Sequence, residues 1–454
     1  MTYAAEAGNF SIAIAGDCML TRRISGFDEP AFLALVKVFR DCDAGTANLE
    51  TVVRRWDEGT HGLTQGTFMT TTPELLADIK WFGINMVACA NNHAFDYGEG
   101  GLMATVNHLE AAGIAHAGSG QNLAEARMPG YLDTRGGRVA ILSATATFLP
   151  CNRAGAQRPD MRGRPGINPF GFKNTYTVDG EAFDQLKRIS RELGFEQKRA
   201  RQRQHFFSES EVGADREEAV TLLNETFVRG NGFKVTSEGD KADIEDNLRA
   251  IKEARRQADW VVFHFHSHEY GHNSLVSAKT QSELSEPSDF TRAFARAAIA
   301  AGADIFIGHG SHTPLGIELY KGKPIFYSVG NLFMQNETLP FFPSVAYERF
   351  GLGHDATPAD FLDARTGNGT KGHVAHADFW QNFAATCHYG GGTLTEIRIH
   401  PIDQGFGRPR GQRGRPVLAN GEMGAKIIER VGRLSQPYGV TIVNRNGVGI
   451  VTPQ

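Results

Sequence analysis

The segment Ala90-Asn91-Asn92-His93-Ala94-Phe95-Asp96-Tyr97-Gly98 sets amides, an imidazole and a carboxylate close together, where an apolar run gives way to a helical pattern. An Asn/Asp-rich turn with a chance histidine has the same look. What distinguishes this one is recurrence. In Trp260-Val261-Val262-Phe263-His264-Phe265-His266-Ser267-His268-Glu269 the histidines fall at alternate positions, so they project to one side while the strand lasts. A lone buried histidine needs one hydrogen bond. Several beside Glu269 are hard to bury neutral without a shared partner, and a metal or an anion supplies one. His264 lies deepest in the apolar run and reads as structural.

Further polar tips follow apolar runs at Asp17, at Glu50, and at His309 and His312 of Gly308-His309-Gly310-Ser311-His312. Carboxylate, amide and imidazole donors together suit Mn²⁺, Zn²⁺ or Fe²⁺ better than Mg²⁺ or Ca²⁺. Two such ions about 3.5–4 Å apart would clamp an oxyanion and lower the pKa of a bridging water. No cysteine stands beside these histidines, which argues against a structural zinc finger. A P-loop, a G-x-S-x-G elbow and a dinucleotide fingerprint are missing too, and their chemistries drop out.

The elements that must position these groups are strands ending at one edge. Ser11–Ala15 reads as a first buried strand, released by Gly16. Ala31–Phe39 has helical spacing, Thr46–Thr51 is a strand finishing on Glu50, and Thr72 and Pro73 look like the N-cap and first residue of a helix. Tyr131–Leu142 predicts a β-hairpin around Gly136-Gly137, and Pro150–Pro169 a surface loop. From 175 to 235 the chain is basic (Lys187–Arg203), then acidic (Glu209–Glu218). It reads as a solvated helical insertion, with a basic groove for an anionic substrate as the rival. Asp243 is placed to cap a helix bearing Ile244, Leu248 and Ile251. A helix over Phe290–Ala301, a strand over Ala303–Ile307 and a second hairpin over Ile317–Ser328 follow, then an irregular, aromatic-rich stretch at 334–390, a strand at Thr393–His400 and a helix at Gly421–Ser435.

The whole is expected to be one domain over 1–454, with a charged insertion at 150–255, a lid-like insertion at 334–390, and 391–454 completing the domain. With 41% hydrophobic and 22% charged residues, the composition is that of a globular protein. A net charge of −4 argues against a nucleic-acid partner. No apolar run approaches the roughly 18–20 residues that span a bilayer, and Met1–Asn9 lacks a signal-peptide pattern. Five scattered cysteines suggest no disulfide framework, so a cytoplasmic location is the expectation. The expected partner is a small-molecule or peptide substrate, and self-association into a homo-oligomer stays open.

Taken in order, Gly16-Asp17-x-Met19-Leu20, Asn48-Leu49-Glu50, Asn91-Asn92-His93-x-x-Asp96-x-Gly98, His266-x-His268-Glu269, Gly308-His309-x-x-His312 and Tyr327-Ser328-Val329-Gly330-Asn331 resemble the capsule-synthesis CapA-like (poly-γ-glutamate biosynthesis) family. That family is related to the calcineurin-like metallophosphoesterases, which implies an α/β, four-layer αββα sandwich with a two-metal centre. The resemblance implies Asp17, Glu50, Asn92, His266 and His312 as metal ligands, with His309 at the same centre. It implies His93 as proton donor or oxyanion stabiliser, oriented by Asp96, and His268 and Glu269 stand beside them as acid/base groups. The chain departs from the phosphoesterases at Met19, where they have histidine, at Glu50, where they have aspartate, and in the spacing of His309 to His312. The implied activity is metal-dependent hydrolysis of a phosphoester, amide or peptide bond by a mono- or dinuclear centre. An acid/base epimerase or lyase, and a non-catalytic or ligase-associated component of γ-glutamyl polymer synthesis, are the alternatives.

Overall fold

Alternation along the first strand, Phe10–Met19, sorts its side chains between two cores. Phe10, Ile12 and Ile14 join Val139, Ile141, Val262, Ile305 and Phe326 in one buried cluster. Ala13 and Ala15 face the other way, where Phe32, Leu35, Phe39 and Phe82 of two helices (Pro30–Arg40 and Leu76–Phe82) pack. Small residues on that side leave room for the rings.

The computed structural model describes residues 8–64, 66–206 and 217–453 and is of mixed α/β class, with several sheets and helices. Residues 1–7, and 209–216 of the acidic run, lie outside the described residues. Ten strands form the larger sheet, in which Phe10–Met19 runs parallel to Ala44–Leu49 and antiparallel to Gln381–Gly390. Six strands form a second sheet, whose members Gly137–Thr145, Trp260–His266 and Ile305–His309 are parallel neighbours. The first cluster fills the space between these sheets. On the far side of the second, Phe263 and Phe265 pack against Phe294, with ring centroids 5.2 and 5.6 Å apart.

Two compact units divide the chain. The larger holds 1–170, 242–269 and 294–454; the smaller holds 171–241 and 270–293. The smaller unit contains a four-stranded sheet in the order Ala219–Leu222, Glu225–Arg229, Phe172–Val178, Lys234–Gly239. Its helix Gly180–Glu192, capped by Asp179, covers a small core of Val178, Phe183 and Val220. No helix among the described residues is long and apolar enough to cross a membrane.

Several local expectations need correction. The 175–235 stretch is not helical throughout: strands from Phe172 to Gly239 flank its helices. Their threonines, lysines and glutamates are at most half-buried, so no apolar alternation marks them. Residues 334–390 are not irregular to the end, because Gln381–Gly390 pairs with the first strand and with Thr393–Asp403. Thr72 makes no side-chain cap, and a 3₁₀ turn at Pro73–Leu75 precedes the helix instead. Asp243 lies inside the first turn of Lys241–Arg255 rather than before it, with Arg127 at 2.6 Å. The first strand also runs past Gly16 to Met19.

A candidate metal centre at the strand ends

Strand register assembles the centre. In the larger sheet Asp17 is level with Asn48 on one neighbour and with Asn331 on the other. Pairing is irregular on both sides of Asp17, and a bulge at such a place re-aims a side chain without ending the strand. Gly16 permits the approach of the neighbouring strand: a Cβ there would stand 1.8 Å from the Gly330 carbonyl oxygen. In the second sheet His266 is level with His309. Because within each sheet the strands carrying these residues run parallel, their polar ends fall at one edge.

Asp17, His266 and His309 form one group, and Glu50, His268 and His312 another; within each group one potential ligand atom per residue lies within 4.8 Å of the others. The groups interlock. His312 Nδ1 is 3.1 Å from Asp17 Oδ2, His312 Nε2 is 3.9 Å from Glu50 Oε1, and His266 Nε2 is 3.8 Å from the same oxygen. His266 Nδ1 meets His309 Nδ1 at 3.0 Å, and its Nε2 meets His268 Nε2 at 3.2 Å. His93 Nε2 approaches Glu50 Oε1 at 4.0 Å, while its Nδ1 is 2.7 Å from Asp96 Oδ2. Asp96 is fixed in turn by the Met69 N–H at 2.7 Å. His264 bonds Thr46 Oγ1 at 2.8 Å and lies behind His309, with ring centroids 5.4 Å apart.

Burial and neighbouring charges set the protonation of these groups. Burial pushes His266 well below the ordinary histidine value, His309 to about 4, and His268, with the His312 charge adding, to about 3. Burial also opposes charge on His312, but Glu50 and Asp17 outweigh it and raise that imidazole to about 9. Glu50 is raised well above the usual carboxylate range by burial and then by the Asp17 charge. Asp17, despite its burial, is held below that range by the hydrogen bond and charge of His312.

These residues fit a divalent cation. Both Glu50 carboxylate oxygens, Asn92 Oδ1 and His309 Nε2 are buried with no hydrogen-bond partner among the described residues. Unsatisfied buried acceptors of this kind are costly unless a ligand completes them. Glu269 belongs to neither group; its N–H donates to Ser267 Oγ at 3.2 Å.

Some supporting residues escaped the sequence reading. Asn48 donates from Nδ2 to Asp17 Oδ1 at 2.8 Å and accepts from Asn91 at 3.1 Å. Asn331 Oδ1 meets His312 Nδ1 at 2.9 Å, and Asn331 Nδ2 donates to the His312 carbonyl at 3.2 Å. That clamp holds His312 in a left-handed conformation, φ 58°, which a non-glycine residue adopts at a cost. Asn48 and Asn331 lie inside the short motifs quoted above, so a signal existed. His373, whose ring centroid is 5.1 Å from that of His312, lies in a stretch without periodicity and had none.

Fold and site together define a mixed α/β protein whose strand ends gather carboxylates and imidazoles able to hold a divalent metal. The chain belongs to the family described as Bacterial capsule synthesis protein PGA_cap, which it matches over residues 11–336. It is 30% identical to the uncharacterized protein y4sH of Sinorhizobium fredii, over 97% of this chain and 93% of that protein. Similarity extends to the capsule biosynthesis protein CapA of Bacillus anthracis, 22% identical over 72% of this chain and 60% of that one. A probable polyglutamine synthesis accessory protein of Mycobacterium tuberculosis is 26% identical over 55% of this chain and 44% of its own.

Proposed function

We propose that this chain is a metal-dependent hydrolase of the metallophosphoesterase-like superfamily, acting on a phosphoester, amide or peptide bond. A four-layer αββα sandwich of that type is supported by the core shared between two sheets and by helices packed on the outer faces. One observation carries the reaction: two interlocked carboxylate–imidazole groups at parallel strand ends, with a buried Glu50 whose oxygens have no hydrogen-bond partner among the described residues.

Asp17, Glu50, Asn92, His266, His309 and His312 would hold the metal, Mn²⁺ or Zn²⁺ by donor type, with Fe²⁺ suited to the same set. A divalent ion there supplies Lewis-acid polarisation and lowers the pKa of water. The chain's own groups do the rest. Asp96 accepts from Nδ1 of His93 and so leaves the lone pair of Nε2, the atom facing Glu50, to take a proton from the attacking water and return it to the leaving group. His268, kept neutral by burial, sits beside Glu50 and can orient a reacting group through a ring nitrogen, and Glu269 is the remaining acid/base candidate.

Metal analysis of purified protein, beside Asp17→Ala and His266→Ala, is the test, coupled to hydrolysis of a nitrophenyl phosphodiester and a γ-glutamyl anilide. Wild type should carry metal and cleave one probe, and both variants should lose metal and turnover together. A metal-free wild type that still turns over would remove the mechanism. The relatives named for capsule biosynthesis and for accessory roles favour a second reading, a non-catalytic component of γ-glutamyl polymer assembly. It predicts metal-loaded protein that cleaves neither probe.

A further inference from the structure

Two hollows adjoin the centre. One, of about 120 Å³, is lined by Thr67, Arg365, Lys371 and His373; the other, of about 200 Å³, by Gly66, Thr67, Arg349 and Arg365. The first reaches the centre through His373, whose ring meets that of His312. The second reaches it through Gly66, where a Cβ would stand 3.4 Å from His93 Cε1. Arg365 lines both.

The charge of Arg365 is uncompensated. Its Nη1 donates to the hydroxyl of Thr67, a neutral group, and no carboxylate among the described residues lies within ion-pair reach. Glu337 also lines the first hollow, but Arg413 already takes both its oxygens, at 2.6 and 2.7 Å, and Arg410 adds a third bond. Burial and then the Arg349 charge push the Arg365 pKa below its ordinary value. A half-buried guanidinium beside a second arginine and a lysine, facing open space, matches a carboxylate or phosphate in two-pronged fashion.

We infer that these hollows form an anion subsite, in which Arg365, helped by Arg349 and Lys371, holds a carboxylate or phosphate of the substrate away from the bond being cleaved. Its meaning for a substrate rests on the hydrolase reading; anion binding itself does not. The subsite would select substrates carrying negative charge at a fixed remove from the scissile bond, and it explains why an acidic protein keeps this cluster unpaired.

Calorimetric titration of chelator-treated, full-length protein with glutarate and, separately, inorganic phosphate tests this. Wild type should bind one of them, and the one bound names the anion. Arg365→Ala should weaken binding by at least about tenfold, the size expected for lost charge-assisted hydrogen bonds. Arg349 is exposed, so Arg349→Glu removes affinity without threatening the fold. Asp17→Asn should leave binding unchanged. Absence of binding by either probe, or loss in Asp17→Asn but not in the arginine variants, overturns the subsite. A preparation that binds the anion through Arg365 yet refuses metal would instead sink the hydrolase reading and leave the subsite standing.

Discussion

At the scale of single residues, His312 stands between Asp17 at 3.1 Å and Glu50 at 3.9 Å, and its imidazole is raised to about 9. In the metal-free protein it therefore keeps its proton at pH 7.5, whereas a metal ligand must give the proton up. Metal uptake at that pH should release at least about one proton from the coupled pair of His312 and Glu50, and affinity should climb at least about tenfold per pH unit between pH 7 and 9. Calorimetry in buffers of different ionisation enthalpy reads this directly; heats that do not vary with buffer would contradict it. Glu50 gives a complementary test. Its folded pKa is raised above the unfolded value, so whatever stability it contributes is present in acid and lost as pH rises through the folded pKa. At neutral pH the metal-free fold thus carries a cost at this position. Glu50→Gln should stabilise metal-free protein by about 1 kcal/mol while lowering metal affinity more than about tenfold. A variant less stable than wild type without metal would show that Glu50 is structural.

At the scale of elements, the helix Pro358–Thr366 is built to fix Arg365. Thr357 and Asp360 close a capping box, proline occupies the first turn, and Gly367 ends the helix in the left-handed conformation at φ 55°. Thr357→Ala should cost about 1 kcal/mol of local stability, seen as faster amide exchange across 358–366 with the strand 10–19 unchanged. Uniform acceleration in both segments would mean that the cap supports the whole unit instead. The sequence reveals such local devices unevenly. Apolar runs ending in Asp17, Glu50, His266 and His309 were legible because both faces of these strands are buried, and the run stops where the polar tip begins. The strand Gln381–Gly390 was not. Its alternation of Phe383, Ala385, Cys387 and Tyr389 into the core is present, but it follows a stretch crowded with aromatics. Its partner, moreover, is the strand at 10–19, whose Ile12 pairs with Cys387, and no local rule predicts so distant a pairing. The interlocking of the two carboxylate–imidazole groups was hidden for the same reason. Composition puts the donors at strand ends, whereas register decides which of them meet.

At the scale of the whole molecule, every residue of the centre (Asp17, Glu50, Asn92, His266, His268, His309 and His312) belongs to the larger unit. The smaller unit has its own core, centred on Val178, Phe183 and Val220, while Ile189, Leu275 and Val276 of its helices stay exposed. So small a core supports only modest stability, and none of the unit's described residues belongs to the proposed cation centre. Calorimetric unfolding should therefore show two transitions. The lower, from the smaller unit, should be indifferent to metal. The upper should rise with metal concentration, because a ligand that binds only the folded state adds about 2.7 kcal/mol at a hundred times its dissociation constant. In Asp17→Ala the upper transition should lose this response and the lower should stay where it was. One transition shifting as a whole would mean that the two units unfold together. Two transitions both indifferent to metal would remove the cation from the centre altogether.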